Sequence, residues 1–324
     1  MLQFLLKRLA QSAVVLIVMS LLIFVAVHAV GNPVEMYVRG DADFAEKERA
    51  TVALGLDKSF WEQYRLFLVN AARGNLGNSF VYGRPAVDVI LEKLPATMEL
   101  AMVAMLLSVL LGIPIGLLAG LRPRSWWSQF IMAGSILGFS LPAFWVGLML
   151  VMVFAVTLGW LPAGGRGETV DVFGWGSGLL SLDGWRHMLL PAVNLAIFKI
   201  SLIARLTYAG TIDAMASDYV RFARARGVPL RRIVWVHVLK NILIPIVTVL
   251  GLELGSLIAF AVVTETVFAW PGMGKLIIDS IRVLDRPVIV NYLLFTVTMF
   301  IVINLVVDLM YSILDPRIRH GHAG

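Results

Sequence analysis

The amino-acid sequence predicts an all-α membrane protein with six transmembrane helices and both termini in the cytoplasm. Three observations predict it: an apolar composition, a series of uncharged runs long enough to cross a bilayer, and a one-sided distribution of Lys and Arg among the short loops. Of the 324 residues, 59% are hydrophobic and 15% charged, and the mean hydropathy is +0.84. A soluble domain averages roughly 45–50% apolar and about 25% charged. A soluble globular enzyme is therefore disfavoured and a disordered chain excluded. The absence of cysteine excludes disulfides, Cys-ligated zinc and a thiol nucleophile. His28, His187, His237, His320 and His322 form no HExxH pair. The net charge of +6 fits the positive-inside bias of a membrane protein better than a nucleic-acid partner.

The first span is Leu9–Val30, apolar and uncharged after Lys7 and Arg8. Its length exceeds the apolar region of a signal peptide, about 7–15 residues, so it is read as retained. Residues 31–95 change character. They hold eight basic and nine acidic side chains, which marks a water-exposed extracytoplasmic segment with short helices, for instance around Phe60–Asn70. The second span is Ala96–Gly120. Gly112, Gly116 and Gly120 lie four apart on one helix face, where small residues admit a second helix closely, and Pro114 among them is expected to bend the helix. Arg122 and Arg124 fill the next loop, and Trp126 and Trp127 suit a membrane interface. The third span is Phe130–Leu158, with Gly134 and Gly138 repeating the small-residue spacing.

Residues 161–186 are Gly-rich and read as an exposed loop. The fourth span, Met188–Tyr208, contains Lys199 and Arg205; Arg205 can snorkel to the interface, whereas Lys199 is deeper. The fifth span is Ile242–Phe268 and the sixth Val288–Leu314. Charge then sets the orientation. The 121–129 loop carries two arginines and no acid, the 209–241 loop a net +4, and the tail Arg317 and Arg319. The opposite loops, 159–187 and 269–287, carry −1 and +1. The basic set faces the cytoplasm.

The 209–241 connection is too long for a turn. It keeps apolar residues at helical spacing, Val220, Ala223, Ile233 and Val236, within a basic surround. Gly227 can end one short helix and Pro229 can open another. Two short helices meeting at a glycine therefore project into water. Their amphipathic surface fits either a groove on a partner protein or an anionic lipid surface, and the residues alone leave both open.

The stretch Asp218-Tyr-Val-Arg-Phe-Ala-Arg-Ala-Arg-Gly227, followed by Ile242-Leu-Ile-Pro245, resembles the EAA loop of ABC importer permeases. The nearest likeness is to the B-type subunit of the dipeptide, oligopeptide and nickel branch. Phe139-Ser-Leu-Pro-Ala-Phe144, Gly159-Trp-Leu-Pro-Ala-Gly-Gly165, Glu265-Thr-Val-Phe-Ala-Trp-Pro-Gly-Met-Gly274 and Asp315-Pro-Arg-Ile-Arg319 extend it over nearly the whole chain. Residues 166–186 match that pattern least. Arg221 stands where many permeases have Glu, and no Pro directly follows Leu239; the peptide branch often shares both departures.

The resemblance implies a type I ABC importer permease fold in the bacterial cytoplasmic (inner) membrane. On this reading, 1–30 is the first span, 31–95 the extracytoplasmic segment, 96–314 the transmembrane core with its coupling loop 209–241, and 315–324 a cytoplasmic tail. It implies half of a translocation pathway for short peptides, or for nickel chelates or glutathione, in a chain that is itself no enzyme and binds no cofactor. ATP belongs to two separate ATPase subunits. A second homologous permease, an extracytoplasmic solute-binding protein and membrane lipids are the remaining partners. Arg221, Phe222, Ala223 and Gly227 become the ATPase-coupling residues, with Ala223 small enough to let the helix seat deeply, and Gly227→Asp is expected to uncouple hydrolysis from transport.

Gly272-Met-Gly-Lys275 lacks the GxxxxGK[ST] spacing of a phosphate loop, so nucleotide binding is rejected. The polar residues within spans are Asn194, Lys199, Glu253, Glu265, Asn304 and Asp308. Lys199 is the costliest to bury, and Lys199 and Glu253 are the candidates for the translocation path. Glu265 and Asp308 are expected near opposite interfaces. An ion-driven secondary transporter is the competing class. It would need relay residues and usually an inverted repeat; no repeat is found on reading the sequence, and the basic loop would be left unexplained.

Overall fold

The computed structural model describes residues 2–29, 34, 43–53, 56–172 and 174–314. The tail with Arg317 and Arg319, residues 35–42 of the segment expected to be extracytoplasmic and the side chain of Asp308 lie outside the described residues. The helices are α1 (Leu2–Ala29), α2 (Phe44–Ala53), α3 (Phe60–Ala72), α4 (Ala86–Leu121), α5 (Trp126–Ser140), α6 (Ala143–Leu150, carried on by a π-helical stretch Val151–Thr157), α7 (Leu182–Ala216) and α8 (Asp218–Ala225). After these come α9 (Leu230–Arg232, then π-helical Ile233–Val238), α10 (Leu239–Phe260), α11 (Val262–Val267), α12 (Met273–Arg282) and α13 (Arg286–Leu314). Among the described residues, five helices are long and apolar enough to cross a bilayer, and the bent pair α5–α6 brings the number to six where its two halves count as one span.

That bend is a departure from the sequence reading, which ran the third span straight through. The two helices meet at 105°. Pro142 lacks the N–H that would continue the ladder, and a residue preceding proline is driven out of the α region. Leu141 accordingly adopts ψ 137° and Pro142 ψ 132°. In contrast, α4 runs unbroken through Pro95 and Pro114. The fourth span is longer than its apolar core, because α7 starts at Leu182, capped by the Ser181 hydroxyl. The segment read as an exposed loop before it contains a two-stranded antiparallel hairpin, Val170–Val172 against Trp175–Ser177.

The chain forms two compact units. The first comprises 1–96 and 271–301, the second 97–270 and 302–324. In the first, α3 forms where the sequence predicts a short helix, and it packs on α1. Phe24 meets Phe60, Tyr64 and Phe67 with ring centroids 5.3–5.8 Å apart, and Ser20 shares a 2.9 Å hydrogen bond with Tyr64. Asp285 is fully buried. Its carboxylate accepts from the Ser79 hydroxyl at 2.5 Å and from the Phe80 and Val81 amides at 3.1 and 3.3 Å. The carboxylate thereby satisfies the donors of a tight loop that the backbone cannot pair by itself.

In the second unit α4 lies against α7 along the predicted glycine face. A Cβ on Gly112 would come within 2.9 Å of Ile203, one on Gly120 within 2.6 Å of Thr211, and one on Gly116 would collide with the Ala204 carbonyl. Gly138 on α5 faces Ser201 in the same way, whereas Gly134 has open space. The motif spacing is thus used at Gly138 and unused at Gly134. Gly116→Ala is expected to destabilise by about 1–3 kcal/mol, because backbone must move. Gly134→Ala is expected to be neutral or to stabilise by up to about 1 kcal/mol through helix propensity. Melting temperatures of the two purified variants check this; equal melting would remove the close-packing assignment.

Candidate functional site

The connection after α7 is built by a sequence of local stops. Ser217 (ψ 155°) breaks the helix, Asp218 opens α8, and Gly227 at φ +76° closes it. The Val228 amide donates to Ala223 O (3.1 Å) and the Gly227 amide to Arg224 O (2.9 Å). This is the paired helix-ending pattern that requires a left-handed residue. Val228 then packs on the buried cluster that contains Ala223.

One face of α8 is anchored. Val220 and Ala223 are buried with Leu117, Ala214, Ile233, Val234, Val238, Ile242 and Ile246. The other face is open: Arg221 and Phe222 are exposed, Phe222 at 59%. The Arg226 guanidinium sits 4.4 Å over the Phe222 ring, a cation–π contact that holds both side chains outward. Arg221 comes within 3.5 Å of Asp218 at the water surface, where such pairs contribute little.

Two sequence expectations change here. Ala223 faces inward; its small side chain lets α8 seat on its own chain, so it positions the element from behind. Val236 is exposed, and Val234 and Val238 are buried in its place. The π-helical stretch Ile233–Val238 supplies the reason, since a wider turn shifts the phase of the buried stripe. The second helix is also not short: α9 and α10 continue from Leu230 to Phe260.

Lys199 and Glu253 are brought together. The Lys199 ammonium pairs with Glu253 Oε2 and donates to Ser256 Oγ at 2.9 Å. Ser256 Oγ also lies 2.9 Å from Glu253 Oε2. The two charged side chains remain 19% and 23% exposed. Lys199 stands at the middle of α7, so the pair joins α7 to α10 deep within their apolar lengths. An isolated charge at that depth costs about 2.5–3.5 kcal/mol on insertion scales; pairing removes the net charge.

Glu265 is paired within the protein. It is fully buried and accepts a 2.6 Å hydrogen bond from Thr97, while neighbouring Thr264 accepts from Asn194 at 2.9 Å. Among the features the sequence reading missed is the fastening of the hairpin segment. Arg166 pairs with Glu99 at 2.7 Å and donates to Gly176 O at 2.6 Å, and its guanidinium lies 5.9 Å from the centroid of the buried Trp270 ring. The signal available was a lone arginine among glycines and a lone acid early in the second span.

Residues 112–320 match the family described as binding-protein-dependent transport system inner membrane component, and residues 1–101 match its N-terminal region. The chain belongs to this family. The permease is 40% identical over 334 residues to the di/tripeptide transport system permease protein DppB of Pseudomonas aeruginosa (strain UCBPP-PA14), covering 99% of each chain. It is 36% identical over 338 residues to the dipeptide transport system permease protein DppB of Escherichia coli K12, again covering 99% of each. To the glutathione transport system permease protein GsiC of the same strain it is 36% identical over 321 residues, covering 99% of this chain and 100% of that one. Among solved structures, the MetNI methionine ABC transporter in inward-facing conformation matches with a TM-score of 0.54 at 16% identity, covering 71% of the permease and 97% of that chain. At that identity the likeness speaks to fold. The permease is a multi-pass protein of the bacterial inner membrane with an ABC importer permease fold.

Proposed function

We propose that the permease forms half of the pathway through which an ATP-driven importer admits short peptides, with both termini cytoplasmic and helix α8 of the 209–241 loop seated on a separate ATPase. The observation that carries this reading is the construction of α8. Its inner face is locked to the chain by Val220 and Ala223, while Arg221 and Phe222 stand outward with no role in the permease's own core. A rigidly backed helix with an exposed aromatic and a basic rim transmits displacement of a partner to the spans behind it. The full-length identity to di/tripeptide and dipeptide permeases supports peptide cargo. Glutathione is the second reading, favoured by the glutathione relative.

A second homologous permease, two ATPase subunits and a solute-binding protein complete the assembly. Lys199 and Glu253 border the pathway, as intramembrane ionisable residues normally face a bundle interior or a wet cavity. Pull-down of the permease from detergent-solubilised native membrane is expected to recover an ATPase subunit and a second permease. Uptake of dipeptide by the reconstituted assembly is expected to require ATP. Recovery of the chain alone, transporting without ATP, would overturn the reading.

A further inference from the structure

The basic surface following Gly227 is not used by the coupling element. Residues 228–252 carry three Lys and Arg and no Asp or Glu. On the helix starting at Leu230, the buried face is Ile233, Val234 and Val238, and the exposed face is Leu230, Arg231, Arg232, Trp235, Val236 and Lys240. Among the described residues, Arg231 and Arg232 make no ion pair. With Pro229 and Trp235 they bound a shallow concavity of about 410 Å³.

Depth decides what this face meets. The helix continues without a break into the fifth span, and no charge follows Lys240 until Glu253. At about 1.5 Å per residue, Trp235 lies roughly 10 Å ahead of Ile242, where the uncharged run is established. That distance is comparable to the polar layer flanking a hydrocarbon core of about 30 Å. A 60% exposed Trp at headgroup level is an interfacial anchor. Two guanidinium groups beside it match phosphate oxygens in geometry and charge.

We propose that Arg231, Arg232 and Trp235 form a binding surface for anionic phospholipid headgroups in the leaflet where this helix enters the membrane. The phosphates neutralise the two arginines, the indole lies among the glycerol backbones, and the base of the fifth span is held at fixed depth. The coupling helix α8, tied to the same base through Ile233 and Val238, then moves relative to a membrane-anchored support. This goes beyond the transport reading and does not depend on which cargo is carried.

The test uses the permease with its co-purifying subunits in nanodiscs of phosphatidylcholine alone or mixed with phosphatidylglycerol. Native mass spectrometry counts retained phosphatidylglycerol, and melting is followed against added phosphatidylglycerol. The wild type is expected to retain the anionic lipid and to melt higher with it. Arg231→Gln/Arg232→Gln is expected to weaken that response roughly thirtyfold, about fivefold per arginine. Arg231→Lys/Arg232→Lys, which keeps both charges, is expected to preserve most of the response and serves if the glutamine variant does not fold. Unchanged retention and melting in the glutamine variant would overturn the proposal. So would loss of a co-purifying ATPase with lipid retention intact, because the face would then belong to a protein partner. Failure to find any ATPase in the wild type would instead count against the transport reading, leaving the lipid result to stand or fall separately.

Discussion

Gly227→Val is expected to abolish ATP-driven uptake, by at least tenfold, in a permease that still inserts and assembles at wild-type levels. At φ +76° an L-residue occupies the left-handed region at a cost of about 1–2 kcal/mol, and a β-branched side chain is the worst placed there. Space is not the constraint, because a Cβ at Gly227 would meet nothing within 4 Å. The cost is small against the roughly 5–15 kcal/mol that holds a domain together, so folding survives. What changes is the angle at which α8 leaves the helix pair, and a coupling element acts through that angle. Asn and Asp are the non-glycine residues most at ease at positive φ. Gly227→Asn is therefore expected to stay within about threefold of wild type.

Gly227→Asp has the same backbone tolerance as Asn. Any further loss in Asp relative to Asn reports the added charge at the partner surface. That outcome would keep the expectation of uncoupling by Gly227→Asp and give it a different cause from backbone strain. Uptake and ATP hydrolysis measured side by side for the three variants check the series. Normal uptake by Gly227→Val would remove the coupling role from this loop.

Lys199→Met and Glu253→Gln are each expected to lower the assembled permease severely, and the double variant to recover it. Removing one partner leaves an uncompensated charge within α7 or α10, and breaking a buried pair costs about 3–5 kcal/mol. Because both side chains are about one-fifth exposed, the lower end of that range applies. Replacing both leaves no charge to desolvate, and such neutral replacements are often tolerated. Thermal stability of the purified assembly tests the pairing, and single variants as stable as wild type would end it. Peptide uptake by the double variant separates the two roles. Normal uptake would make the pair a helix-joining device; a stable assembly that no longer transports would place it on the path.

Much of this was legible in the residues. The uncharged runs are set by the thickness of a bilayer, so the spans follow from composition alone. The glycines at 112, 116 and 120 declare a close helix contact because their spacing places them on one face, and the Asp218–Gly227 stretch shows a helix, its stop and its basic surround. Partner choice was less legible. The sequence contained the space at Gly134 and Gly138 equally, and only packing reveals that, among the described residues, Ser201 fills one and none fills the other.

The sequence by itself determined the membrane class, the run of apolar segments and the helix–glycine–helix form of the 209–241 loop, because these depend on local periodicity, charge and residue-specific backbone preference. The family followed from the resemblance of its motifs. The tertiary structure decided that Lys199 meets Glu253 across 54 residues, that Glu265 is buried on Thr97, and that Arg166 fastens the hairpin to Glu99. It also turned Ala223 inward and, through a π-helical stretch, exchanged Val236 for Val234 and Val238 on the buried face. These are pairings between distant segments and a phase shift within a helix. A linear pattern records which residues need a partner, because burying a charge or a polar group unmatched is costly. It does not record which partner the packed chain brings to them.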